Sequence, residues 1–221
     1  MLIGQMLNKS TSESADYFQV DICGKKLQDI NYNLKKKIIL HGDWEKKGFS
    51  SNDIMNPLRQ LEIIDICNHF KNIAYGITIH PPTKKVQIKD FLKTIDTIQN
   101  KIEIPIFLEN RSNNRFLISN IESILTIPKD FNITIDIPQL FINNGYNIDK
   151  LKLDIHTLHN LSNIKEIHLG GVKEKRVGQK LNDNLIDYKD FKYFLQNKYI
   201  TVEILGGKNI FEESKNIILN L

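Results

Sequence analysis

The sequence predicts a closed (β/α)8 barrel made by one domain of 221 residues. Three observations lead there. Short apolar runs rich in Ile, Val and Phe recur along the chain, segments with helical periodicity separate most of them, and the runs number eight. A doubly wound open sheet uses the same alternation. Its usual phosphate loop is missing, since neither GxGxxG nor GxxxxGK with Ser or Thr occurs.

The eight runs are MLIGQM (1–6), YFQVDIC (17–23), KIILHG (37–42), AYGITIH (74–80), IPIFLEN (104–110), NITIDI (132–137), IKEIHLG (164–170) and ITVEILG (200–206). Most alternate little, as expected of strands buried on both faces. Helices are predicted over 51–71, 87–99, 115–126, 148–160, 187–197 and 211–220. Ser51 and Asn52 are placed to cap the first, and Asp187 the fifth. The short gaps after the first two runs predict a trimmed barrel whose first helices are short or absent.

Composition bounds the function. Hydrophobic residues are 41% and charged residues 25%, as in an ordinary globular chain. A net charge of +4 permits nucleic acid as a partner without requiring it. Cys23 and Cys67 are the only cysteines, which excludes a disulfide framework and predicts a reducing, cytoplasmic setting. The first residues carry no basic signal-peptide start, and no stretch reaches the roughly 18 apolar residues of a membrane span.

The strand ends carry the chemistry. The third to eighth runs each finish on a potential metal ligand: His41, His80, Glu109, Asp136, His168 and Glu203. Closing the barrel puts all six on its C-terminal rim, where barrel enzymes hold their sites. A lone strand-end histidine is more often structural, and a lone acid more often a helix cap. With 26 acids and 6 histidines in 221 residues, however, six hits in six strands is not a chance pattern. His69, His156 and His159 fall in helical segments and read as surface or core, and both cysteines read as core. Three imidazoles and three carboxylates suit Zn²⁺, Mn²⁺ or Fe²⁺ better than Ca²⁺ or Mg²⁺. Six ligands exceed what one ion uses, so two ions sharing a carboxylate are expected.

These motifs resemble the xylose isomerase-like barrel superfamily, and within it the endonuclease IV branch of abasic-site endonucleases. IILHGDW and ITIHPP are similar to that branch's histidine motifs, which makes His41 and His80 ligands. IFLENR resembles the strand whose glutamate bridges two metals, here Glu109. ITIDIPQ, EIHLGG and TVEILGG resemble the segments carrying the remaining ligands, here Asp136, His168 and Glu203. The resemblance thus implies one ion on His41, His80 and Glu109, and a second on Glu109, Asp136, His168 and Glu203.

Two departures stand out. The branch's Asp-x-x-His has become Asp136-x-x-Gln139, and its Asp-x-His is missing from GGVKEKRVGQKLNDN (170–184). Those residues hold a third metal in the branch, so a two-metal site is expected. Lys173, Lys175, Arg176 and Lys180 crowd the same segment. Of these, Lys173, Lys175 and Arg176, with Arg111 and Gln139, are the expected substrate contacts. The resemblance implies a phosphodiester hydrolase of DNA repair type, acting on abasic DNA, with Glu109 and Glu203 catalytic. An alternative within the superfamily is a one-metal sugar isomerase or epimerase acting on a sugar or phosphorylated sugar, using Glu109 and Glu203 as an acid/base pair. A metal-dependent peptide-modifying enzyme and a non-enzymatic binding barrel are further options on one scaffold.

Overall fold

The computed structural model describes residues 1–7, 11–30, 36–42, 50–173, 176–181, 184–204 and 206–221. The strands are β1 (Leu2–Met6), β2 (Tyr17–Asp21), β3 (Ile38–Gly42), β4 (Ala74–Ile79), β5 (Ile106–Glu109), β6 (Asn132–Asp136), β7 (Ile164–Leu169), β8 (Gly171–Lys173), β9 (Arg176–Gln179) and β10 (Tyr199–Val202). Eight of them close a parallel barrel in the order β1-β2-β3-β4-β5-β6-β7-β10, while β8 and β9 form an antiparallel hairpin between β7 and β10. The helices are α1 (Pro57–Phe70), α2 (Ile88–Gln99), α3 (Ile121–Leu125), α4 (Ile137–Asn143), α5 (Ile148–His159), α6 (Lys192–Leu195) and α7 (Lys208–Leu219). Among the described residues no α-helix follows β1 or β2, only a 3-10 turn at Leu27–Asp29. The barrel is trimmed where the sequence predicts.

Four of the predicted segments differ from expectation, and α4 is not among the predicted helices. The first predicted helix is split: a 3-10 turn at Ser51–Met55 is capped by Ser50, and α1 begins anew at Pro57 with Asn56 as its cap. The residue before a proline is pushed out of the helical region, so Asn56 is extended and the break falls there. In the third segment only Ile121–Leu125 is helical. The residues before it are held away from helix by Leu117 N–H donating to the Pro82 carbonyl and by a Thr83–Phe116 bridge. Residues 187–197 give a 3-10 turn and then the one-turn α6, with Asp187 capping as expected. The predicted basic loop after β7 contains the β8–β9 hairpin instead.

Side chains alternate along a strand, so residues two apart share a face. Outward-facing Ile38, Leu40, Ile77, Ile79, Leu108 and Ile135 are fully buried beneath the surrounding layer. On α2, Phe91, Ile95 and Ile98 supply the buried stripe. Inside the barrel the N-terminal end is plugged by Tyr17, Ile39 and Phe107, with Leu2, Tyr75 and Tyr199 against them. Glycine makes that plug fit: a Cβ on Gly4 would overlap the Tyr17 ring. Beyond the plug the interior turns polar with Gln19, Thr78, Thr134, Glu166 and Thr201, all buried. The predicted ligands His80, Asp136, His168 and Glu203 come two residues after Thr78, Thr134, Glu166 and Thr201, while His41 and Glu109 come two residues after Ile39 and Phe107.

Candidate metal centre

His41 lies near the end of β3, Glu109 ends β5, Asp136 ends β6 and His168 lies near the end of β7, while His80 and Glu203 are the first residues past β4 and β10. Five of the six are buried, and only Glu203 leaves about a quarter of its side chain exposed, at 24%. The barrel brings all six together. His41 Nε2 lies 2.9 Å and His80 Nε2 3.0 Å from the same Glu109 oxygen, Oε2. The two Nε2 atoms are themselves 3.1 Å apart. His168 Nδ1 is 3.7 Å from that Glu109 oxygen and 3.3 Å from Glu203 Oε1.

Three overlapping groups therefore offer donor atoms within 4.8 Å of one another: His41, His80 and Glu109; Glu109, Asp136 and His168; His41, His168 and Glu203. The first forms a near-equilateral triangle. A tetrahedral ion with bonds of about 2.0–2.1 Å spaces its donors at about 3.3 Å, slightly wider than this triangle. Two imidazole nitrogens so close to each other and to one oxygen cannot both point a proton at it without their hydrogens colliding. A cation in that place removes the conflict. Glu109 Oε1, His168 Nδ1 and Glu203 Oε1 are buried without hydrogen-bond partners, a cost that coordination would offset.

Charge points the same way. Burial disfavours the charged form of His168, yet Glu203, Glu166 and Glu109 together raise its pKa well above the ordinary value. Burial likewise opposes charging of His41, but hydrogen bonding to Glu109 and its field raise it. His80 goes the other way, with desolvation bringing it down to about 3. Glu109, despite burial, is held well below the carboxylate range by the surrounding imidazoles. Asp136 is pushed well up, first by burial and then by Glu109 and Glu203. Raised pKa values at His41, His168 and Asp136 mean that protons collect on this cluster, and a divalent ion fits the place those protons take.

Asp136 also caps a helix. Its Oδ1 accepts the Gln139 N–H at 2.8 Å and caps α4. Its place is held by Asn110, which accepts from the Asp136 N–H at 2.8 Å and donates to its carbonyl at 3.1 Å. The cap uses one carboxylate oxygen, so it is compatible with the expected ligand role. The centre opens into a cavity of about 290 Å³. A larger hollow of about 430 Å³ sits at the opposite end of the barrel against Tyr75, Phe107 and Tyr199. That hollow has no imidazole or carboxylate in its lining, so the chemistry belongs to the smaller one.

No protein-family model matches the sequence, and no curated protein matches it. Solved structures do resemble it in fold. Endonuclease IV from Thermus thermophilus superposes with a TM-score of 0.67 at 10% identity, covering 100% of this chain and 98% of that one. L-ribulose 3-epimerase gives 0.64 at 12%, covering 97% and 86%. The structure AsfvAP:AG gives 0.63 at 15%, covering 99% and 97%. The fold these structures share with the chain is the (β/α)8 TIM barrel.

In this barrel the expected substrate contacts fall into two sets. Arg111 and Gln139 line the metal-side cavity. Arg111 Nη1 is 3.6 Å from Glu109 Oε1, and its Nε is buried without a hydrogen-bond partner. Gln139 is largely occupied, its Oε1 accepting from the Ser112 N–H at 2.9 Å. Lys173 and Arg176 face each other, exposed, at the far end of the hairpin, which contributes Val177 and Gly178 to the cavity instead. Lys180 pairs with Glu213 at 3.7 Å. Lys175 lies outside the described residues.

Sequence reading missed Asn110 and Glu166. Both are fully buried beside the ligands. A signal existed for Glu166: it stands two residues before His168 and so shares its inward face. No helix among the described residues is long and apolar enough to cross a membrane.

Proposed function

We propose that this protein is a divalent-metal-dependent hydrolase of phosphodiesters, of the abasic-DNA endonuclease type, working with two ions of Zn²⁺, Mn²⁺ or Fe²⁺. One observation carries the reading: Glu109 belongs to two donor groups at once, with His41 and His80 on one side and Asp136 and His168 on the other. A single-ion isomerase has no use for the first group. Bound ions would supply Lewis-acid stabilisation of charge on the phosphoryl oxygens.

The protein's own groups serve the rest of the reaction. Arg111 offers a guanidinium with unused donor capacity to an anionic substrate oxygen. Glu203, the most exposed carboxylate of the set, is placed to accept the proton of the attacking water. Burial of the remaining ligands excludes bulk water from the charged centre. Lys173 and Arg176, exposed at the far end of the hairpin whose Val177 and Gly178 line the cavity, would add phosphate contacts to a polymer that a small diester would not reach.

The epimerase reading keeps one specific support. Glu109 and Glu203 both approach His168 Nδ1, as an acid/base pair around a single ion would. The deciding experiment offers metal-loaded protein abasic duplex DNA, a simple phosphodiester and a panel of ketoses, with Glu109→Gln as control. Metal-dependent diester cleavage is expected. Ketose turnover without any diester cleavage would reverse the choice.

A further inference from the structure

We propose that Glu166 is a positioning residue: it holds the Nε2–H of His168 and thereby presents Nδ1 to the metal centre. The inference rests on the two-ion reading of that centre, and it concerns a residue that is not one of the six expected ligands.

Glu166 is 0% exposed. An ionised carboxylate so buried costs several kcal/mol unless its lone pairs are filled, and here all are. Oε2 accepts the hydroxyls of Thr78 at 2.5 Å and Thr134 at 2.7 Å. Oε1 accepts the Thr201 hydroxyl at 2.7 Å and faces His168 Nε2 at 3.2 Å. A carboxylate has about four acceptor sites, so three hydroxyls and one imidazole complete it. The set spans the barrel, because Thr78, Thr134 and Thr201 come from β4, β6 and β10.

Proton accounting then decides the ring. Thr201 has one hydroxyl proton, and Glu166 takes it. Tyr17, whose hydroxyl is 2.8 Å from Thr201 Oγ1, must therefore be the donor in that pair. Every partner of Glu166 points a proton inward, so the imidazole contributes an N–H as well. A bare Nε2 lone pair at 3.2 Å from a carboxylate oxygen would repel it. With Nε2–H directed to Glu166, the only ring atom left for a metal is Nδ1, which is buried, lacks a hydrogen-bond partner and faces Glu203 and Glu109.

Gln19 bears on the same point. Its Nε2 stands 3.1 Å from His168 Nε2, and its Oε1 is buried without a partner. The opposition of two donors is removed if the amide turns by about 180°, since Gln19 Oε1 then shares the Nε2–H with Glu166. A leucine at position 166 would fill the interior more cheaply, but it would leave three hydroxyls and the imidazole without an acceptor.

The test uses full-length protein and zinc. Glu166→Gln keeps the shape but replaces two acceptor sites with donors. Chelator competition should show the ion on Asp136, His168 and Glu203 bound about 10- to 100-fold more weakly, with the ion on His41 and His80 little changed. Nitrogen-15 NMR of labelled histidines supplies a readout that a purely structural role would not move. In zinc-loaded wild type, His168 should carry a slowly exchanging Nε2–H and a metal-shifted Nδ1; in Glu166→Gln that protection should vanish. Unchanged affinity together with a protected Nε2–H in the variant overturns the proposal. So does a zinc-loaded wild type whose His168 is protonated on Nδ1, a result that needs no variant to fold. Wild type that binds no zinc overturns the metal-centre reading instead, and protection of the Nε2–H in metal-free protein then decides whether Glu166 holds the ring.

Discussion

Replacing Glu109 by glutamine should cost both ions, because one side chain serves two donor groups. The amide keeps the size of the carboxylate and removes the charge that His41 and His80 share at 2.9 and 3.0 Å. A four-ligand zinc site is worth about 10–16 kcal/mol, so one ligand accounts for about 3 kcal/mol. At about 1.4 kcal/mol per decade, each ion should bind about a hundredfold more weakly. Part of that loss is offset, since Asp136 and Glu203 no longer face a third negative charge. His80→Ala should weaken only the ion of its own triangle. Gln139→Ala should leave both in place, because Asp136 is capped by the Gln139 backbone N–H, which alanine retains. Elemental analysis after purification without chelator, followed by competition with a zinc indicator, separates these outcomes. Wild-type metal content in Glu109→Gln would refute the shared-ligand argument.

Four more predictions rest on other parts of the structure. Chelator-treated protein should lose stability as pH rises above about 6.5. His41 and His168 have raised folded pKa values, so their stabilisation is complete below about 6.5 and is lost as pH rises through those values. Asp136, also raised, stays protonated where the unfolded chain ionises and so costs stability with rising pH as well; below about 6.5 it offsets His80, which is lowered to about 3 and stays neutral while the unfolded chain protonates. A Tm that rises from about pH 6.5 to about pH 9 would contradict this. Gly170→Ala would set a Cβ 2.7 Å from the Glu203 carbonyl oxygen, and should cost about 1–3 kcal/mol while weakening only the Glu203-side ion; denaturant titration and zinc competition read the two effects. Cys67 is buried with its thiol pushed up to about 12, so a thiol reagent at neutral pH should leave it unmodified until the protein is unfolded; rapid native labelling at Cys67 would show that its pocket opens. Reversing charge at Lys173 and Arg176 together should weaken DNA binding and flatten its log-log salt slope by about two units, with metal content unchanged; an unaltered slope would remove the hairpin from the interface.

Much of this was legible in one dimension. Strand spacing predicts eight barrel strands, and the alternation of side chains puts His41, His80, Glu109, Asp136, His168 and Glu203 on one face at one end. Other features were not legible, for definite reasons. Helix α4 spans only seven residues and shows no period of its own. The hairpin reads as a charged loop because its pairing depends on a partner strand rather than on hydrophobic alternation. Whether Glu109 serves one donor group or two depends on the approach of β3, β4 and β5, which lets two imidazoles converge on one oxygen. Glu166 shows the limit most sharply. In the string EIH it is simply a polar residue in a strand, and its partners Thr78, Thr134 and Thr201 lie 88, 32 and 35 residues away. A sequence records the face and the end of each strand, because those follow from local alternation. Which groups meet across the interior is decided only when the sheet closes, since hydrogen bonds and coordination act over about 2–3 Å and no local rule carries distances between strands that far apart in the chain.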